Sequence, residues 1–191
     1  MGERSTSQDG HEMNFAVNTL GTFALTHQLQ GCLERGGPNS RVITVTSGGA
    51  YTQPLIHDDL QMEQGKFDGM EQYARDKRRQ IAMMEIFAQK LLPKGVGCYL
   101  MHPGWTDTEG LRKSMPSFHK TFAGKLRSLS QGVDTVLWLA LMPSDSLQPG
   151  ALYLDRTVQE KHMFMAGTKY SEADALQLWD QLCKLAQITE S

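Results

Sequence analysis

Three short runs of apolar and β-branched residues, Arg41–Thr46, Gly97–Met101 and Ala151–Leu154, are each divided from the next by a stretch long enough and periodic enough for a helix. Runs this short and this uniformly apolar suit strands that are covered on both faces. When strands alternate with helices, the chain closes most simply as parallel strands joined by helical crossovers. The alternation therefore predicts an α/β layered fold, in the order helix, strand, helix, strand, helix, strand, helix.

The helical stretches carry their own punctuation. From about His11 to Glu34, Phe15, Leu20, Phe23, Leu25, Leu29 and Leu33 recur at mostly helical spacing, bounded by Asp9-Gly10 and Gly36-Gly37-Pro38. A second helix is expected over Glu71–Leu92, where Ile81, Met84, Ala88 and Leu91 repeat at three and four residues before Pro93-Lys94-Gly95. A third spans Ser130–Met142, with Val133, Val136, Leu137 and Ala140 on one side. The tail, Ser171–Ile188, carries Leu176, Trp179, Leu182 and Leu185 behind a capping Ser171. Tyr51 to about Met70 reads as loop with one helical turn at most, and Arg112–Arg127 is basic and aromatic without a clear period. No repeat or low-complexity tract interrupts the pattern.

Composition narrows the function classes. A chain of 191 residues can bury a real core as one unit, at about one domain per 150 residues. The net charge of -2 and the scattered basic residues, clustered only at Lys77-Arg78-Arg79, predict no nucleic-acid or anionic-membrane partner. Cys32, Cys98 and Cys183 are odd in number, far apart and free of CxxC spacing, which speaks against a disulfide framework or zinc ribbon and for a reducing, cytoplasmic setting. None of the six histidines stands at metal-ligand spacing from another His or Cys, so no metal site is expected. No apolar run approaches the roughly 18 residues of a spanning helix, and Val136–Met142 is the longest. Met1-Gly2 with Thr6 matches a myristoylation start only formally.

Tyr73 and Lys77 stand four apart in a helix, so their side chains project from one face about one turn apart. A tyrosine titrates near 10 when unperturbed, and a nearby ammonium favours its phenolate, which makes a proton-transfer pair possible. On its own a YxxxK match is a common surface arrangement. Two further motifs give it context. The first strand runs into Thr46-Ser47-Gly48-Gly49, and the second into His102-Pro103-Gly104-Trp105-Thr106-Asp107-Thr108. Both lie at C-terminal strand ends, where open α/β sheets bind ligands.

With these residues in this order the sequence resembles the short-chain dehydrogenase/reductase superfamily. The resemblance runs over nearly the whole chain, through Gly10–Phe23 with Asn18, Arg41–Ser47, Tyr73–Lys77 and His102–Thr108. The long interval containing His57-Asp58-Asp59-Leu60 is similar to the retinol-dehydrogenase-like branch. It implies the C-terminal part of a Rossmann-like, doubly wound parallel sheet, and NAD or NADP as cofactor. Tyr73 would exchange a proton with the substrate oxygen, Lys77 would lower its pKa and hold the nicotinamide ribose, and Ser47 would polarise the same oxygen. Asn18 would help order a water in the relay to Lys77. Pro103, Gly104, Thr106 and Thr108 would line the nicotinamide and pyrophosphate side. For Asn18 a buried helix kink, and for Thr108 an N-cap, are the plainer alternatives. Asp76, where relatives carry a small residue, is expected to point away from the Tyr-Lys face.

No GxxxGxG occurs, and neither does the NNAG-like strand that relatives place before this segment. The first βαβ nucleotide-binding unit, whose glycine-rich turn cradles a pyrophosphate, is therefore expected to be missing, as in a chain started at an internal methionine of a longer protein. That would leave one sheet edge open and make tight NAD(P) binding doubtful.

Two readings of function follow from the resemblance. One is an NAD(P)-dependent oxidoreductase acting on a carbonyl or secondary alcohol, with Gly110–Leu129 shaping the pocket for a small apolar substrate. The other is an inactive, truncated remnant serving as an interaction module, a homodimer or a partner of a full-length subunit through the helix of the Tyr-Lys pair. A serine hydrolase is disfavoured, because Ser47 lies in Val-Thr-Ser-Gly-Gly and not in a GxSxG elbow.

Overall fold

A computed structural model describes residues 3–189, so the Met1-Gly2 start lies outside the described residues. Four strands form one sheet in the order β1 (Arg41–Val45), β2 (Gly97–Met101), β3 (Leu152–Leu154) and β4 (Thr157–Gln159). β1 and β2 run parallel, in register from Arg41 opposite Gly97 to Val45 opposite Met101, and β2 and β3 are also parallel. The connections between them are helical, as the alternation predicts.

β2 shows why these runs are apolar throughout. Its Cys98 and Leu100 enter one core with Phe23, Ile81, Phe87, Leu178 and Trp179, while Tyr99 and Met101 enter another with Leu139, Leu147 and Tyr153. Successive residues of a strand point to opposite faces, so cover on both sides demands apolar side chains at every position. The first face is covered by α3 (Gly69–Leu91) and α7 (Glu172–Leu185), together with a broken helix near the N-terminus. The second face is covered by α6 (Leu129–Leu141). Trp179 locks the first layer edge-on, with ring centroids 4.9 Å from Phe23 and 4.7 Å from Phe87.

Helix starts follow side-chain caps. The Asp68 carboxylate accepts from the Met70 and Glu71 N–H groups and begins α3 two residues earlier than the periodicity does. Ser128 with Gln131, and Ser171 with Asp174, form reciprocal capping boxes at α6 and α7. The first helical stretch is not continuous. It is a π-helix over Phe15–Leu20, which holds the part-buried Asn18, then α1 (Gly21–Gln28) and, after Leu29, α2 (Gln30–Arg35). Arg112–Arg127 overlaps the end of one short helix, α4 (Glu109–Ser114), and contains another, α5 (Pro116–Thr121).

β4 has no counterpart in the sequence reading. It pairs antiparallel with β3 through a turn in which Asp155 and Arg156 both adopt positive φ, 51° and 61°. Such hairpin turns are ordinarily marked by Asn-Gly or Asp-Gly, and the Asp-Arg here carries no such mark.

Among the described residues β1 pairs with β2 alone, so its other edge is open, as expected. On α6, Leu129, Val133, Leu137 and Leu141 form a stripe every fourth residue, exposed by 62%, 46%, 56% and 83%. α3, expected to offer a dimer face, has little surface left: between Ala74 and Ala88 only Arg75 and Glu85 are not buried. No helix among the described residues is long and apolar enough to cross a membrane, and no group of three or more His, Cys, Asp or Glu there could hold a metal.

Candidate active site

The end of β1 is tied directly to α3. Thr46 Oγ1 donates to the Lys77 carbonyl at 2.8 Å, and Ser47 then caps a 3₁₀ turn over Gly48–Thr52 by accepting from the Gly49 N–H at 3.1 Å. This holds the Ser47 hydroxyl on the α3 side, near enough to the half-buried Tyr73 phenol to favour its ionised form. One turn further along, the Lys77 ammonium lies 5.4 Å from the Tyr73 ring centroid. It donates to the Val45 carbonyl at 3.0 Å and to Gln80 Oε1 at 3.2 Å. Ser47, Tyr73 and Lys77 are thus brought together.

Their electrostatics are set mainly by burial. Lys77 is lowered to about 8 because desolvation disfavours its charge, and Asp76 opposes that only in part. The Tyr73 phenol is raised above its ordinary value by burial, with the nearby Ser47 hydroxyl acting the other way. The lowering expected from Lys77 is not what this geometry yields. Its ammonium faces the ring and is drawn toward Val45 and Gln80.

Asn18 reaches this group indirectly. Its side chain turns back to donate to the Asn14 carbonyl at 3.0 Å within the π-helix. Its own carbonyl accepts from Gln80 Nε2 at 2.7 Å, and Gln80 in turn contacts Lys77. Gln80 was not singled out as a functional residue in the sequence, although it stands three residues after Lys77 and so on the same helix face.

Asp76 does point away from the Tyr-Lys face. It is fully buried, accepting from Thr19 Oγ1, Gln72 Nε2 and Arg79 Nη1 at 2.7, 3.2 and 2.9 Å. Nor are Arg78 and Arg79 a basic surface patch. Arg79 donates to the carbonyls of Ile56, Asp59 and Leu60, and Arg78 to those of Lys161 and Thr168, so each pins a distant loop beside the site.

At the end of β2, His102 lies against Gly48 and edge-on to Tyr51, and burial lowers its pKa. Pro103 and Gly104 follow. Gly104 has φ +67°, and a Cβ there would lie 2.7 Å from Arg127 Nε. Thr106 and Thr108 serve the loop itself in this structure. Thr106 Oγ1 donates to the Pro103 carbonyl at 3.1 Å, and Thr108 Oγ1 caps α4 by accepting from the Leu111 N–H at 3.1 Å.

A dinucleotide's nicotinamide-ribose end could meet an ammonium and two hydroxyls gathered where the end of β1 adjoins α3. The pyrophosphate end has no such match: the sequence holds no GxxxGxG, and both threonine hydroxyls already have backbone partners.

Sequence and fold agree on the class: the chain belongs to the short-chain dehydrogenase/reductase superfamily. Over 186 residues it is 45% identical to a bovine and 44% identical to a human protein named dehydrogenase/reductase SDR family member 12, covering 97% of this chain and 58% of each relative. It is also 31% identical over 185 residues to human retinol dehydrogenase 11, with 95% of this chain and 56% of the relative covered. The chain thus spans a little over half the length of the curated relatives it matches. A solved structure of an uncharacterized protein from Mycobacterium paratuberculosis shares the fold, with a TM-score of 0.71 at 18% identity over 97% of this chain and 63% of that one. No family model matches the chain.

Proposed function

We propose that this chain carries the proton-transfer half of an NAD(P)-dependent oxidoreductase acting on a carbonyl or secondary alcohol. The observation that carries this reading is the convergence of Ser47, Tyr73 and Lys77 from two separate elements, with the Ser47 hydroxyl near the Tyr73 phenol and the Lys77 ammonium 5.4 Å from its ring centroid. Bound NAD(P)H would supply the hydride that goes to the carbonyl carbon. Tyr73 would give its phenolic proton to the carbonyl oxygen, Ser47 would hold that oxygen, and Lys77 would stabilise the resulting phenolate and contact the ribose. Pro103 and Gly104 would bound the nicotinamide side. The basic and aromatic segment Gly110–Leu129, whose Phe118 and Phe122 stack in series with Trp105, would shape a site for an apolar substrate.

The test is NADPH and NADH binding to the purified chain by calorimetry, beside Tyr73→Phe and a form extended upstream through the reading frame. Binding by any form, with turnover lost by about 10²–10⁴-fold in Tyr73→Phe, supports the reading. No binding by the extended form would sink it.

The open edge of β1 and the apolar stripe of α6 favour a second reading, an interaction module completed by another polypeptide. Sedimentation that stays monomeric at every concentration, alone and with the extended form, would remove it.

A further inference from the structure

Gln80 is 3% exposed and lies between two groups that leave its amide one orientation. The Lys77 ammonium can only donate, so it must face Oε1, and the Asn18 carbonyl can only accept, so it must face Nε2. The contacts, 3.2 and 2.7 Å, are both direct, so the side chain spans from α3 to the π-helix without a gap. A π-helical turn inside a helix is a recurrent feature of functional sites, and here its Asn18 carbonyl is the anchor.

We propose that Gln80 is a positioning residue for Lys77: it holds the ammonium over the Tyr73 ring by a direct amide bridge to Asn18, and it tunes the proton affinity of that ammonium. The proposal rests on Lys77 being the partner of Tyr73. The charged group acting on Lys77 is Asp76 from its own helix, with the neutral Tyr73 phenol one turn back. The packed elements present backbone oxygens, Val45 from β1 and, through Gln80, Asn18 from the π-helix. Among the described residues the Gln80 amide oxygen and the Val45 carbonyl are the acceptors that stabilise the charged form directly.

A substitution at position 80 should move the Lys77 titration in a direction set by its chemistry. Gln80→Met removes the acceptor and should lower the Lys77 midpoint. Gln80→Glu keeps an acceptor, adds a negative charge and should raise it, each by roughly one pH unit. The experiment is carbon-13 NMR of lysine-labelled protein across pH, with the Lys77 signal assigned by its absence from Lys77→Arg. In the unsubstituted protein the Gln80 side-chain amide signals should shift with the same midpoint as Lys77, a readout that needs no variant to fold. Opposite displacements in the two variants, or a shared midpoint in the unsubstituted protein, support the bridge. Amide signals indifferent to Lys77, with its titration unchanged in both folded variants, would overturn it and leave Gln80 as filler. Turnover of Tyr73→Phe in the extended form is measured alongside. Full activity there removes the catalytic reading of the pair, whereas the titration decides the bridge by itself.

Discussion

Asp76 and Arg79 face each other at 2.9 Å with neither side chain exposed, an ion pair built into the helix that also carries Tyr73 and Lys77. Thr19 and Gln72 complete the shell around the carboxylate, so the pair joins α3 to the π-helix.

Asp76→Asn is expected to destabilise the protein by about 1–2 kcal/mol at pH 7, because an amide nitrogen replaces one of the two oxygens that accept from Thr19, Gln72 and Arg79. Burial raises the Asp76 carboxyl to about 6, against the pull of Arg79 and Thr19. A raised folded value favours the folded state most below the unfolded value near 3.8, and that favour is lost as pH rises through about 6. The stability gap between the parent and Asp76→Asn should therefore widen from pH 7 to pH 5. Urea unfolding at the two pH values checks both the size and the sign.

Lys77 gives the opposite profile. Desolvation lowers it to about 8, so its burial penalty is fully present below pH 8 and is relieved as pH rises toward the ordinary lysine value of 10.5. Lys77→Met is expected to gain about 1–2 kcal/mol at pH 7, the desolvation relieved less the hydrogen bonds lost, and this gain should shrink by pH 9.5. Thermal melts of both proteins at these two pH values measure it.

Gly132 lets α6 approach the loop after β2. A Cβ at this position would lie 2.6 Å from Thr106 Oγ1 and 2.7 Å from its methyl carbon. Gly132→Ala should cost about 1–3 kcal/mol by overpacking, despite the better helix propensity of alanine. A matched exchange at exposed Gly31 in α2, where the nearest atom is an Arg35 side-chain nitrogen at 3.4 Å, serves as the control and should not destabilise.

Leu137 lies in the middle of the exposed stripe of α6. Leu137→Glu should change stability by no more than about 1 kcal/mol in the isolated chain, since more than half of the residue is already exposed there. The same change should reduce any concentration-dependent association seen by sedimentation, because a carboxylate in an apolar contact must be desolvated.

Much of the architecture was legible because it is written locally. The alternation of β-branched runs and helical periods named three of the four strands, and the cap at Ser171 follows from a side chain beside the helix start, whereas the Asp68 cap places the start of α3 two residues before the apolar period. β4 escaped because three residues after a glycine-free turn carry no period. The π-helix escaped because it keeps an apolar pattern close to that of an α-helix. In the site, Tyr73, Lys77 and Ser47 were legible from residue type and spacing, and the structure brings them together. Thr106 and Thr108 stand where the family resemblance implies cofactor contacts, and in this structure their hydroxyls bond their own loop.

The sequence by itself determined the layered α/β order, the residue types at both strand ends and the face shared by Tyr73 and Lys77, since each depends on neighbours within a few turns. Only the tertiary structure decided that Lys77, Arg78 and Arg79 are buried rather than a basic surface patch, and that Gln80 spans from Lys77 to Asn18. The partners concerned, Asn18, Leu60 and Thr168, are distant in the chain. Whether a charge is solvated or enclosed depends on which remote backbone carbonyls packing brings to it, and local periodicity carries no record of that.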